Sequence, residues 1–585
     1  MEELISEHLA TWTEAQIVKP AGGRGRKSSG AKNRYGIKKL RELILELAVR
    51  GKLVAQDPAD EPASVLLERI AAEKASLLKA GKIKKQKGLP EITENKKPFD
   101  VPDGWEWSNL SELLAIVTDG DHQAPPKSDS GIPFLVIGNL NSGKIIYENC
   151  KYVPEEYYQN LAWSRKPTQG DLLYTVTGSY GIQVPVKSGK LFCVQRHVAI
   201  FKSTVSTPRN YLSLVLSSKY AFDYATYIAT GIAQKTVPLT GLRKMSIPLP
   251  PAAERHKIVV KVDELMSLCD RLEKQQDDSA TTQQALLATL LDALVKSADH
   301  AEFAATWQRI AEHFDLLFTT DQSIDQLKQA ILQLAVMGKL VPQNPEDEPA
   351  SVLLEKIAVE KARLVKEKKI KKQKPVIDFQ GLNELKRIVP QKWVWVRLTD
   401  VSDVVRGGSP RPAGDLRYYD GKIPFLKVAD VSNVKGKMVE GFTFTIKEAG
   451  LKKTRFINQR TVLLTNSGAT LGIPAICDFD ATFNDGIAAF VELSEFAFDE
   501  YLYLYLKSLS KWFLDIASRG QGQPNLNTDI IKATWFALPP LPEQHRIVTK
   551  VDELMTLCDT LKTRLQQART TQVQLADALV AQAVA

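Results

Sequence analysis

One constraint outweighs the rest: the chain carries the same long unit twice. DEPASVLLE stands at 60–68 and again at 347–355, and KIKKQK at 82–87 and again at 369–374, both at an offset of 287. A third segment, PPAAERHKIVVKVDELMSLCDRL from Pro250, returns as PPLPEQHRIVTKVDELMTLCDTL from Pro539, at an offset of 289. Different elements that repeat at nearly one offset make the chain a tandem duplication of one long unit.

The third segment also carries a heptad seam. Ile258, Val262, Leu265, Cys269 and Leu272 alternate spacings of four and three, the pattern of a helix that packs along one stripe. The C-terminal copy has the longer seam: Ile547, Val551, Leu554, Cys558, Leu561, Leu565, Ala568, Gln572, Leu575 and Leu579. A stripe needs a partner, and the matching stripe lies in the same chain. Each helix would be on the order of 60 Å long. Antiparallel pairing within one molecule is therefore expected, with the two remaining globular parts at opposite ends.

Between the helical parts the character changes. From Phe99, short β-branched and aromatic segments (IPFLVIGNL, GKIIYENCKYV, GDLLYTVTGSYGI, LFCVQRHVAIF) are cut by Gly, Pro, Asn and Asp. This predicts a mixed α/β domain around a twisted sheet, closed by helical segments such as 210–230. The second unit repeats the plan: QKWVWVRLTDV answers DGWEWSNLSEL, IPFLKVADV answers IPFLVIGNL, and VLLTNSGATLGIP answers DLLYTVTGSYGIQ. Trp105, Trp107, Trp393 and Trp395 are expected in the core at the start of a strand. The divisions read as 1–36, an extension and basic linker; 37–98, a helical region; 99–250, a first head; 251–388, a central helical region; 389–540, a second head; and 541–585, a long final helix. The connection at 297–323 reads as loose, and its AATWQRI echoes LATWTEA at 9–15. The Gly/Ser/Lys/Arg-rich stretch 19–36 suits a flexible linker or an electrostatic DNA arm. The lysine runs suit a solvated helix end, a phosphate contact or an acidic partner.

The search for chemistry excludes more than it finds. There is no GxxxxGK[ST] phosphate loop, no HExxH and no paired Cys/His metal spacing. NPED at 344–347 lacks the second proline and aromatic of an adenine methyltransferase motif, and the acidic residues near Glu367–Lys369 resemble a nuclease triad only within a charged helix. A binding and scaffolding role is expected, not an enzyme, with no metal or cofactor held by this chain. The excess of 77 basic over 68 acidic residues permits a polyanion partner. Five cysteines without a CxxC point to free thiols in a reducing compartment, with Cys269 and Cys558 as buried packing residues. No apolar run is long enough to span a bilayer, and the acidic MEELISEH is unlike a signal peptide, so a cytoplasmic location is expected.

These duplicated helices, the IPLPPxxE[QR]xxIVxKVDELMxLCD-type junctions and the IPFL and LLxTxxGxxGI skeletons resemble type I restriction-modification specificity (S, HsdS) subunits over about 37–585. The resemblance implies two α/β target recognition domains, joined by long antiparallel coiled-coil helices of conserved type. Each head would read half of a bipartite, asymmetric site on double-stranded DNA. The helices would set the spacer and dock two modification (methyltransferase) subunits, with restriction (translocase/nuclease) subunits joining them. S-adenosylmethionine, ATP and Mg would belong to those partners. A coiled-coil scaffold with two protein-binding heads is the alternative.

Readers of DNA are expected among polar or basic loop residues, because phosphate contacts position and base-edge contacts specify. In the first head the candidates are Asp121, His122, Gln123, Lys127, Thr177, Ser179, Tyr180, Arg196, His197, Gln234 and Lys235. In the second they are Arg406, Ser409, Arg411, Arg417, Tyr418, Asn466, Ser467, Thr470, Arg519, Gln521, Gln523 and Asn525. DGDHQAPPK at 119–127 and RGGSPRP at 406–412 match in position, as do GIAQKTVPL at 231–239 and GQGQPNLNT at 520–528. Simple turns and an interdomain hinge are the plain alternatives for these loops.

Overall fold

Apolar residues at helical spacing build the first core helix of each repeat. Tyr35–Val49 buries Ile37, Leu40, Ile44, Leu47 and Ala48, and Asp321–Val336 buries Ile324, Leu327, Ile331, Leu334 and Ala335, position for position. The second helix of each pair, Ala63–Lys79 and Ala350–Lys366, begins after Pro62 and Pro349. Proline is suited to a helix start because its fixed φ fits and its missing N–H has no partner there. The computed structural model describes residues 2–15, 34–84, 88–89, 92–93, 97–122, 125–126, 128–370, 372, 375–376, 381–518 and 525–584. They form two compact units, Met1–Ser279 with Gln567–Ala585, and Ala280–Gln566. The helices Ala252–Lys296 and Leu541–Val584 each begin in one unit and end in the other. Residues 19–33 of the basic stretch lie outside the described residues.

The two heads share one topology. In the first, a four-stranded antiparallel sheet has the order Ile116–Asp119, Val198–Lys202, Leu172–Thr175, Gln183–Pro185. In the second the order is Asp403–Arg406, Ile487–Val491, Thr461–Thr465, Pro474–Cys477. Each head has a second sheet containing a parallel pair, Ile132–Leu135 with Cys193–Val194 and Tyr419–Leu426 with Ala481–Phe483; this sheet has three strands in the first head and four in the second. Helices Arg209–Ser217 and Lys219–Ile228 close the first head, and Asp499–Ser508 and Ser510–Ala517 the second. A two-stranded ribbon ties off each neck, Glu106–Asn109 against Ser246–Leu249 and Val394–Arg397 against Trp535–Leu538.

Each neck is locked by a buried carboxylate. Glu254, 1% exposed, accepts from the Trp105 indole Nε1 at 2.9 Å and from Gln56 Nε2 at 3.1 Å. Glu543, also 1% exposed, accepts from Gln343 Nε2 at 2.6 Å. Gly51 (φ +70) and Gly338 (φ +69) let the chain pass against Pro102 and Pro390, where a Cβ would stand 2.5 and 2.4 Å from the ring; only glycine fits. Glu254→Ala leaves the buried Trp105 indole N–H without its acceptor, while the exposed Gln56 keeps its bond to Gly51 O, so it is expected to cost about 1–3 kcal/mol, read as a lower denaturation midpoint. Burial raises the carboxyl pKa of Glu254. Its contribution to stability is therefore present below the unfolded pKa and is lost as pH rises through the folded one.

Three expectations need correction. Trp105 and Trp393, just before the ribbons, are buried, but Trp107 and Trp395, within them, are only half-buried. The connection at 297–323 contains helices His300–Glu312 and Phe314–Leu317; Trp307 is 45% exposed where Trp12, its echo, is fully buried. The seam of the final helix also drifts. Ile547, Val551 and Cys558 are buried, yet Leu575 is 44% exposed and Ala576 is buried in its place, beside Leu579. A straight helix turns every 3.6 residues, so a strict heptad stripe rotates off the contact line after a few repeats. Cys269 is buried in the first unit's core, which pushes its thiol up to about 11.

Candidate functional site

In the first head four loops meet at one end of the larger sheet. Val176 N donates to His197 O at 3.0 Å and Val237 N to Val176 O at 2.7 Å; Gly178 N donates to Lys235 O at 3.0 Å. Thr230 and Thr236 exchange backbone hydrogen bonds at 2.8 Å, closing the hairpin that displays Gln234 and Lys235, both exposed. Asp121 bridges to Gln195 beside the turn that presents Arg196. The structure thus brings together Asp121, Thr177, Ser179, Arg196, His197, Gln234 and Lys235 from segments more than a hundred residues apart.

Their environments differ. Asp121 accepts from Arg165 at 2.6 Å and Tyr157 at 3.0 Å, which fixes the loop from inside. Thr177 is buried and Ser179 exposed. Tyr180 stacks on Phe222 with centroids 5.9 Å apart and donates to Thr226 Oγ1. His122, exposed, lies 3.0 Å from Asp119 Oδ2. The exposed Arg196 donates from Nε to His197 Nε2 at 3.3 Å. Burial, and next Arg196, lower the pKa of His197, so its imidazole is neutral at pH 7 and can accept that bond. Gln123 and Lys127 lie outside the described residues.

The second head gathers the equivalent loops around Asp485. Ser409 Oγ donates to its Oδ1 at 2.6 Å, Arg411 lies 3.8 Å from Oδ2, and Arg406 Nε donates to its backbone O at 2.7 Å. Asn466 N donates to Gly486 O and Leu526 N to Asn466 O, while Ser467 bridges to Asn525. Asn466 is fully buried, at the place Val176 takes in the first head. Thr470 is exposed, and its backbone O accepts from Thr465 Oγ1. Arg417 is held instead by Asp415 at 2.6 Å and lies over the half-buried Tyr418. Arg519, Gln521 and Gln523 lie outside the described residues.

Sequence reasoning missed Asp485. The signal was available, because Asn484–Asp485–Gly486 is a turn sequence between two strands and the duplication sets it against Gln195–Arg196–His197. The Ser409 hydroxyl first, with Arg411 and Arg406, lowers the pKa of Asp485. That contribution is present above the unfolded pKa and is lost as pH falls through the folded one. Charge is thereby reversed between equivalent positions: Asp119 and Arg196 in one head, Arg406 and Asp485 in the other. Asp485→Ala frees Ser409 and Arg411, while Arg406 keeps its bond to the backbone O of residue 485, and should weaken ligand binding by the second head about tenfold to a hundredfold. Asp485→Asn should recover part of this by still accepting from Ser409, which titration of binding would show.

Among the described residues no group of three or more His, Cys, Asp or Glu side chains is placed to hold a metal ion, and no helix is long and apolar enough to cross a membrane. The model of the type I restriction modification DNA specificity domain matches the chain twice, at 102–281 and 390–569. The chain is 40% identical to the type I restriction enzyme EcoAI specificity subunit of Escherichia coli, with all of both chains covered. It is 37% identical to the EcoEI specificity subunit of the same species, over 99% of each. A solved HsdS subunit from Thermoanaerobacter tengcongensis aligns with 84% of this chain and 99% of its own, at 17% identity and a TM-score of 0.42. With more than half of its length matched by that family model, the chain belongs to the type I restriction modification DNA specificity family.

Proposed function

We infer that this chain is the DNA-specificity subunit of a type I restriction-modification complex, a non-catalytic component that selects the site at which partner subunits act. The observation that carries the reading is the pair of heads: one topology, and one cluster of loops in each, dressed with different and locally charge-reversed side chains. Two such heads on a repeated helical frame suit a bipartite DNA site with unlike halves. Arg196, Gln234 and Lys235 in the first head, and Arg406, Arg411 and Asn525 in the second, offer the donors that read guanine and adenine edges or hold phosphate. Asp121, Asp485 and Thr177 position those loops. The long helices fix the spacer between the half-sites and dock two methyltransferase subunits, with restriction subunits completing the complex. S-adenosylmethionine, ATP and Mg are bound by those partners, in the cytoplasm where the DNA is.

The test is a map of N6-methyladenine in DNA from cells that express this chain with its methyltransferase subunit, against cells lacking only this chain. A bipartite, asymmetric motif present in the first map and absent from the second is expected. Identical maps beside an active methyltransferase would refute the reading.

A further inference from the structure

In both units the described start of the lysine run, 82–84 and 369–370, is turned off the end of its helix and fastened to the body of the unit; residues 85–87, 371, 373 and 374 lie outside the described residues. After Ala63–Lys79, Gly81 takes a left-handed φ of +68 and Lys82 N donates back to Leu77 O at 3.0 Å. After Ala350–Lys366, Lys368 takes φ +58 and Lys369 N donates back to Leu364 O at 3.0 Å. This is a helix stop with its hydrophobic partner beyond it: Ile83 is 9% exposed and Ile370 only 6%. A lysine in the left-handed region costs about 1 kcal/mol, and Lys368 adopts it all the same. Burying Ile370 is what that turn achieves, and it leaves Lys369 and Lys372 exposed on either side.

In the second unit those lysines border a cleft of about 790 Å³, together with Arg406, Arg455 and Lys532. Asp403, Glu492 and Asp529 border it too, so cations outnumber carboxylates five to three. Arg406 is the link to the loop cluster, since the same side chain donates to Asp485 O. The cleft is thus continuous with the surface that reads the second half-site, which favours one extended polyanion over a separate acidic protein.

We propose that the anchored lysine run is a phosphate clamp: Lys369 and Lys372, with Arg455 and Lys532, hold the DNA backbone flanking the second half-site. The proposal rests on the DNA-specificity reading. It assigns the repeated lysine strings a task that contributes affinity without sequence choice.

The experiment uses the full chain assembled with its methyltransferase subunit, and measures affinity for a cognate duplex and for an unrelated duplex across a series of salt concentrations. Lys369→Ala with Lys372→Ala should lower the slope of log affinity against log salt by about 2, and should weaken both duplexes alike by about tenfold or more. Lys369→Glu with Lys372→Glu should weaken both further, while the methylated motif stays the same. An unchanged slope in a complex that still prefers its cognate duplex would overturn the clamp and leave the specificity reading standing. Loss of assembly with the methyltransferase subunit, at an unchanged slope, would make the lysines a protein contact and also overturn it. A wild-type complex with no preference between duplexes would overturn both.

Discussion

Replacing residues 110–245 with the matching head of another specificity subunit is expected to change one half of the methylated site completely and to leave the other half as it was. The boundaries follow from the neck. Leu110 N donates to Met245 O at 2.8 Å, just inside the ribbon of Glu106–Asn109 and Ser246–Leu249. The exchange therefore retains the ribbon, Trp105 and its hydrogen bond to Glu254. The neck itself stays native, and the incoming head must supply the contacts that Ser111, Ser206 and Tyr220 make with Lys74, Glu73 and Glu46, while all four loops that carry Arg196, Gln234 and Lys235 are exchanged. Mismatched base pairs cost about 1–3 kcal/mol each, so loss of a half-site of several pairs removes about a hundredfold of preference or more. Methylation mapping reads both halves at once. A change in both would mean that the heads do not read separately, and the two-head model would fall.

The helical frame was legible because its signals are local. Spacings of three and four, Pro62 and Pro349 at helix starts and Gly51 and Gly338 beyond helix ends are read within a few residues. The duplication then doubled every signal. The second sheet of each head was not legible: Phe134 pairs with Cys193 across nearly sixty residues, in a parallel register that no turn announces. The candidate site divides the same way. Loop membership was readable from Gly, Pro and Asn, and the structure does gather Arg196, His197, Gln234 and Lys235 from separate loops. Which polar groups already have partners was not readable. Asp121 looks like a free acceptor until Arg165 folds against it, and Arg417 looks free until its near neighbour Asp415 turns toward it. The lysine run shows the same limit, because Ile370 within KIKK is one apolar residue in a charged string and only tertiary packing reveals it as an anchor.

The chain path through the two units sets the last expectation. The division falls between Ser279 and Ala280 in one long helix and between Gln566 and Gln567 in the other, so each unit owns one end of both helices. Lengthening only one helix by a heptad would leave its partner too short for both units to keep their packing, among it Leu265 and Cys269 with Ala576 and Leu579 in the first core. That single insertion should destabilise the chain and abolish site-specific methylation. Inserting one heptad after Ser279 and another after Gln566 avoids the mismatch. Each helix gains about 10 Å, the length of about three base pairs, so the preferred spacer should grow by about three while both half-sites stay the same. Affinity at the new spacer should be lower than for the native pair. A heptad nearly preserves the facing of a helix, whereas three base pairs rotate DNA by nearly a third of a turn, and the duplex must twist to meet both heads. A doubly lengthened subunit that still methylates the original spacer would show that the helices do not measure the distance, and the spacer would then have to be set by the partner subunits.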